Sequence, residues 1–188
     1  MDAIIQFLFE AGQLKHVERS GWKTVSAPHE SVAEHVYRTC IVGYVLAKEA
    51  GLNKEEELLV VKSCLFHDLH EARIGDLHRV AKNYVKVDEK RCEQEQRENL
   101  PKEMKEELAE CLNLPKKLAD LAHDADKIEC AIAAKEYVDR GFKVGTWITN
   151  TKKVLRTKEG KKLLEEVEKS DSIKWIVECK KKIDEQEK

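Results

Sequence analysis

The 188-residue chain has only three prolines and eight glycines, and no stretch alternates apolar and polar residues over the length of a strand. The missing alternation excludes a half-buried sheet, and the scarcity of helix breakers leaves long segments free to coil, so an all-α fold is expected. Long hydrophobic runs are also absent. The N-terminal MDAIIQFLFEAGQLK is apolar at helical spacing but too short to span a bilayer, and it carries neither a basic leader nor a small-residue cleavage site. It is expected to be a core helix. No excess of one charge exists either, since 34 basic residues face 36 acidic ones, interspersed along the chain. That balance predicts no DNA or RNA polymer as partner, and no membrane surface. The six cysteines (Cys40, Cys64, Cys92, Cys111, Cys130, Cys179) stand singly, without a CxxC pair. They are expected to be buried, reduced thiols in a cytoplasmic protein. Asn and Gln together number ten, a depletion shared by heat-adapted chains.

What is present is a 41% hydrophobic and 37% charged composition, enough for one core under a densely charged surface. One domain over 1–188 is expected, with a motif-bearing part at about 4–140 and C-terminal helices over 146–186. Helical periodicity places a first helix at about 2–15, then an irregular segment HVERSGWKTVSAPHE with Gly21 and Pro28. Ser31 with Glu34 three residues on predicts a capping box opening a helix that runs to about Glu49, with Ala33, Val36, Cys40, Tyr44 and Ala47 as its core stripe. A further helix is read over about 54–71. Pro115 predicts the first turn of a long helix ended by Gly141, its apolar stripe Leu118, Leu121, Ala125, Ile128 and Ile132. Two last helices are expected from near Thr146 and near Asp171.

Seven His and ten Asp would give about 0.4 adjacent His-Asp pairs by chance, and two occur. His123-Asp124 sits off the apolar stripe, among charges, and reads as solvated surface. His67-Asp68 differs because it follows Leu65 and Phe66 directly. A buried imidazole beside a buried carboxylate is best explained by a shared cation, and two ligands from one segment need others from packed helices. His35, beside Ala33 and Val36, and Asp126, near the small Ala122, Cys130 and Ala133, are the candidates. Each also has a plainer reading as a surface residue of its helix.

Together, SVAEH, HDLHEARIGDL and DADKIE resemble the HD-domain superfamily of metal-dependent phosphohydrolases, and within it the 5'-deoxynucleotidase branch. That branch carries E-x-V-x-E-H, then H-D-x-x-E-x-x-x-G-D, then a late Asp. Here the matches are Glu30, Val32, Glu34 and His35, then His67, Asp68, Glu71, Gly75 and Asp76, then Asp126. An Arg and a Trp in the loop before the first motif are matched by Arg19 and Trp22, two residues apart where bacterial members can have them adjacent. The likeness spans about residues 4 to 140.

The resemblance implies an all-α HD-type bundle with a central metal site: one divalent ion (Mn, Co, Zn, Fe or Mg) on His35, His67, Asp68 and Asp126, a donor set suited to such ions. It implies hydrolysis of nucleoside 5'-monophosphates, 2'-deoxy by preference, and a homodimer. Glu71 would reach the substrate as an acid, unless it is an ordinary helix-end carboxylate. Arg19 and Lys15 would hold the phosphate, or belong to a solvated loop. Trp22 would wall the sugar or base, or plug the core. Asp76 would accept a sugar hydroxyl, or cap a helix. A phosphodiesterase or nucleoside-triphosphate hydrolase of the same superfamily, or a helical scaffold around a structural metal, are the alternative readings.

Overall fold

The computed structural model describes residues 1–186, all of whose regular elements are helical. In order these are α1 (Asp2–Gly12), α2 (Ser20–Lys23), α3 (Val32–Glu49), α4 (Lys54–Phe66), α5 (Glu71–Ile74) and α6 (Glu89–Arg97). Then come α7 (Lys102–Leu112), α8 (Lys116–Asp139), α9 (Thr146–Val154), α10 (Lys158–Lys169) and α11 (Lys174–Gln186).

Local chemistry fixes the ends of the helices that matter most. Ser31 Oγ accepts the backbone N–H of Glu34 while the Glu34 carboxylate takes the Ser31 N–H, so the expected capping box opens α3. Asn53 and Glu56 form a second one at α4. Pro115 precedes α8, and Gly141 follows it with φ of 94°, a conformation glycine adopts without strain.

The centre of the bundle is α3 packed on α4 and α8. Leu46, Val60, Leu121 and Ile128 meet there with no more than 1% exposure. Burying each such side chain contributes roughly 1.5–3 kcal/mol, which makes this junction the stable frame of the molecule. No described helix is long and apolar enough to cross a membrane.

Four expectations are corrected here. The core stripe of α3 is Val32, His35, Val36, Thr39, Val42, Leu46 and Ala47, whereas Tyr44 is exposed, because α8 covers a face rotated from the one read off the sequence. The helix expected over 54–71 ends at Phe66, and a turn over residues 67–70 separates it from α5. Lastly, α10 was not foreseen. Its start, Thr157 accepting the Gly160 N–H, is a cap that the lysine-rich sequence around it obscured. All six cysteines are free thiols, but Cys179 on α11 is exposed, contrary to the expectation of burial.

Candidate metal centre

Ending α4 at Phe66 makes His67 its C-cap and places Asp68 in the turn, so both side chains leave the helix end and point at α3 and α8. His35 stands one turn inside α3 and is fully buried; Asp126 lies midway along α8. His35, His67 and Asp68 each bring a ligand atom within 4.8 Å of the other two, and Asp126 adjoins this cluster on the His35 side. His67 Nε2 is 3.1 Å from Asp68 Oδ2, and His35 Nε2 is 3.6 Å from Asp68 Oδ2 and 3.3 Å from Asp126 Oδ1. Donors about 2.1 Å from a shared ion are about 3.0–3.5 Å apart along the edges of an octahedron or tetrahedron, so these separations fit one divalent cation.

The imidazoles also point the correct atoms inward. His35 Nδ1 pairs with the Glu129 carboxylate, and His67 Nδ1 donates to the Cys64 carbonyl at 2.8 Å. Both Nε2 lone pairs are thereby turned to the common point, and His67 Nε2 is buried without a hydrogen-bond partner. Electrostatics agree with the geometry. Burial lowers the His35 pKa, but Asp126 and Glu129 outweigh it and push the value up to about 9. For Asp126, burial is outweighed by His35, Lys127 and His67, which hold the carboxyl well below its usual range. The pocket favours positive charge, a proton when no ion is bound and a cation otherwise.

Glu129 itself is 0% exposed and receives Arg38 Nε at 2.9 Å, while Arg38 NH1 binds Glu136 at 2.8 Å. This chain from Glu136 through Arg38 and Glu129 to His35 was missed at the sequence level. The available signal was Glu129 three residues after Asp126, hence on the same face of α8.

Arg19 is carried to the site by a two-bond bridge: Arg19 N donates to Glu30 O and Val32 N to Val17 O, each at 2.8 Å, which pins the loop to the start of α3. Its guanidinium lies 3.7 Å from Asp68 and 3.5 Å from Asp76. Asp76 also accepts the Ser20 N–H at 2.5 Å and the Ser20 hydroxyl at 2.9 Å, so it caps α2 across the fold instead of a helix of its own. Glu71 is 4% exposed, and its Oε2 is without a partner. Burial, then repulsion from Asp68 and Asp76, push its carboxyl up to about 8.

One expected substrate contact, Trp22, is corrected. Trp22 is 3% exposed, wedged between Tyr137 and Trp147 with ring centroids at 5.1 and 5.3 Å, and its indole N–H donates to Glu30 at 2.6 Å. It has no open face for a sugar, and it anchors the loop instead. Lys15 is exposed at the end of a 3-10 turn, and among the described residues no ion pair joins it to the site. The lysine that does reach the centre is Lys127, whose Nζ is 2.6 Å from Asp126 Oδ2.

The second His-Asp pair is corrected too. Asp124 is completely buried, and His123 lines a cleft of about 210 Å³ with Ser63, His67, Leu112, Leu114 and Asp126. The cleft is bordered by two of the candidate ligands, His67 and Asp126, and has room for a small molecule.

Several known proteins are similar to this chain. Human 5'-deoxynucleotidase HDDC2 is 33% identical over 153 residues, covering 76% of this chain and 72% of that protein. A structural-genomics crystal structure superposes with a TM-score of 0.80 at 32% identity, over 93% of this chain and 99% of the other. The cyanophage S-2L HD phosphohydrolase DatZ, solved with dA and one catalytic Zn2+ ion, shares the fold at a TM-score of 0.60 and 18% identity, over 86% and 96% of the two chains. The model of the HD domain family matches residues 11–168, spanning the loop of Arg19, all four candidate ligands and α10, and the chain belongs to that family.

Proposed function

We propose that this protein is a phosphoric monoester hydrolase that converts nucleoside 5'-monophosphates, 2'-deoxyribonucleotides by preference, to nucleoside and inorganic phosphate. The observation that carries the reading is the cluster of His35 Nε2, His67 Nε2 and Asp68, with Asp126 beside His35 and both Nδ1 atoms engaged behind them. Similarity to proteins named 5'-deoxynucleotidase supplies the substrate class.

In this reading His35, His67, Asp68 and Asp126 hold one divalent cation, whose identity within the set Mn, Co, Zn, Fe and Mg is left to the donor chemistry. When bound, the ion activates water for attack and polarises a phosphoryl oxygen. The protein's own groups do the rest. Arg19, kept charged by Asp76 and Asp68 against the effect of burial, offers a planar fork to the phosphate. Asp76 fixes that fork by tying Ser20 and Arg19 together. Glu71, protonated at neutral pH, delivers its proton to the departing 5'-oxygen. Lys127 adds positive charge on the Asp126 side.

The whole chain acts as one catalytic domain in this proposal, with small nucleotides as its partners and no nucleic-acid polymer. The free thiols suit a reducing cytoplasm, and the exposed row Tyr37, Ile41 and Tyr44 on α3 suits a homodimer contact. The test is phosphate release from matched 5'- and 3'-monophosphates, ribo and deoxy, a triphosphate and a phosphodiester, each with and without chelator. Metal-dependent release confined to 5'-monophosphates supports the reading; equal release from the 3' isomers, or cleavage of the diester alone, refutes it.

A further inference from the structure

Residues 77–87 run from Asp76 in the site to Asp88, the cap of α6, and none of them is buried. Their regular structure is a single 3-10 turn over Ala81–Asn83, closed by local bonds such as Tyr84 N to Ala81 O at 2.9 Å. At the near end Gly75 has φ of 74°, and nothing lies within 4 Å of where its Cβ would be, so the backbone is free to turn there.

The chemistry of this segment departs from that of the chain. It carries three cations, Arg79, Lys82 and Lys86, and no acid, whereas the whole sequence balances 34 basic residues against 36 acidic ones. Apolar groups lie in water beside those cations: Tyr84 is 85% exposed, and Val80 and Val85 are exposed as well. Such a surface gains from being covered by a ligand that is flat and apolar at one end and anionic at the other. A nucleoside monophosphate has that form, and an aromatic ring binds a base by stacking on its face.

The position of the segment agrees with this. Asp76, directly before it, holds Ser20 and faces the Arg19 guanidinium at 3.5 Å. The charge on Glu71 is disfavoured by burial and by Asp68 and Asp76, and Arg19 and Lys82 act in the opposite sense, so the Lys82 ammonium is within electrostatic range of that buried acid. Its ion pair with Glu89, at 3.9 Å between exposed side chains, is loose. Trp22 is buried, which leaves the site without the aromatic wall expected of it.

We propose that residues 77–87 form a strap that turns about Gly75 onto the bound nucleotide, with Tyr84 stacked on the base and Lys82 paired with the phosphate. The inference rests on the proposed function for the kind of ligand, since the nucleoside departs on the Glu71 side and hence toward this segment. It does not rest on turnover.

The test uses the metal-loaded full chain and a non-hydrolysable phosphonate analogue of deoxyadenosine 5'-monophosphate, beside the base-free deoxyribose phosphonate. Calorimetry should show Tyr84→Ala binding the nucleoside phosphonate roughly 5- to 150-fold more weakly, the range of one base–aromatic stack. Its affinity for the base-free compound should stay within about twofold of wild type, Tyr84→Phe should bind both normally, and Lys82→Gln should weaken both. Trypsin cleavage after Arg79, Lys82 and Lys86, followed by mass spectrometry, should slow about tenfold at ten times the dissociation constant of the nucleoside phosphonate. Equal effects of Tyr84→Ala on both compounds, no effect on either, Lys82→Gln binding as wild type, or cleavage unchanged by the ligand each overturn the proposal. A strap protected in a chain that hydrolyses no nucleotide would uphold this contact while refuting the proposed function.

Discussion

Thr157 donates its hydroxyl to Asp124 Oδ2 at 2.7 Å, and through that bond the helix bearing Asp126 is tied to the start of α10. The same carboxylate accepts the backbone N–H groups of Thr157 at 2.8 Å and Arg156 at 3.0 Å. It is a structural anchor on the helix that also carries the candidate metal ligand Asp126 two residues later.

Asp124→Asn should therefore destabilise the protein by about 2–3 kcal/mol, since charge-assisted bonds are replaced by weaker ones and one amide hydrogen faces donors. At about 2–4 °C per kcal/mol this is a readily measured drop in Tm. Burial raises the Asp124 pKa, but the bonds from His123, Thr157 and Arg156 outweigh it and hold the carboxyl below its ordinary 3.8. A group depressed in the native state adds stability above its unfolded pKa and loses it as pH falls through the native value. The wild-type advantage over Asp124→Asn should accordingly be full at pH 7 and shrink below about pH 4. Melting curves that keep a constant gap down to pH 2.5 would contradict the assignment.

A Cβ on Gly160 would sit 2.6 Å from Asp124 Oδ2, an atom that cannot yield without breaking its bonds. Gly160→Ala should cost about 1–3 kcal/mol by overpacking. The cost should fall in an Asp124→Ala background, where the obstructing oxygen is gone, and a double-mutant cycle on Tm or denaturant midpoint measures the coupling. Strict additivity would mean that the contact is not the cause.

Glu129→Gln keeps the size of the side chain but removes the charge that orients His35 and complements its Nδ1–H. Outer partners of this kind are worth about 10- to 100-fold in metal affinity. Titration with Mn2+ should show that loss, with the fold retained by circular dichroism. Unchanged affinity would reduce Glu129 to a packing group.

Glu71→Ala and His67→Ala should separate chemistry from metal binding. The first is expected to retain the bound ion and lose about a hundred- to ten-thousand-fold in kcat, the range of general acids. The second should lose metal and activity together. In the proposed mechanism Glu71 acts in its protonated form, and its carboxyl is pushed up to about 8, so kcat/KM should decline as pH rises through that region, and the decline should vanish in Glu71→Ala. Full activity in Glu71→Ala would show that another group is the acid.

Trp22→Phe preserves a ring between Tyr137 and Trp147 but strands the Glu30 carboxylate that accepts the indole N–H. A stability loss of about 1–3 kcal/mol is expected, with KM for a 5'-monophosphate within about twofold of wild type. A large rise in KM at unchanged Tm would restore Trp22 to the substrate.

The sequence by itself determined the helical class and several boundaries, because a 3.6-residue apolar period, the Ser31-Glu34 cap, Pro115 and Gly141 act within a few residues of chain. It also singled out His35, His67, Asp68 and Asp126, through a spaced pattern of polar residues set in apolar surroundings. Periodicity says which residues share a face, but not which neighbour covers that face. Tyr44 was therefore placed in the core and is exposed, and Asp124 was placed in solvent and is buried under α10. Trp22 was left open and Glu129 was missed for the same reason. Whether a ring in a loop faces a cleft or a core, and whether a helix carboxylate meets water or an imidazole 94 positions away, is set by how α3, α4 and α8 cross. Those crossings are decided by side-chain packing among distant segments, and no local stretch of sequence contains it.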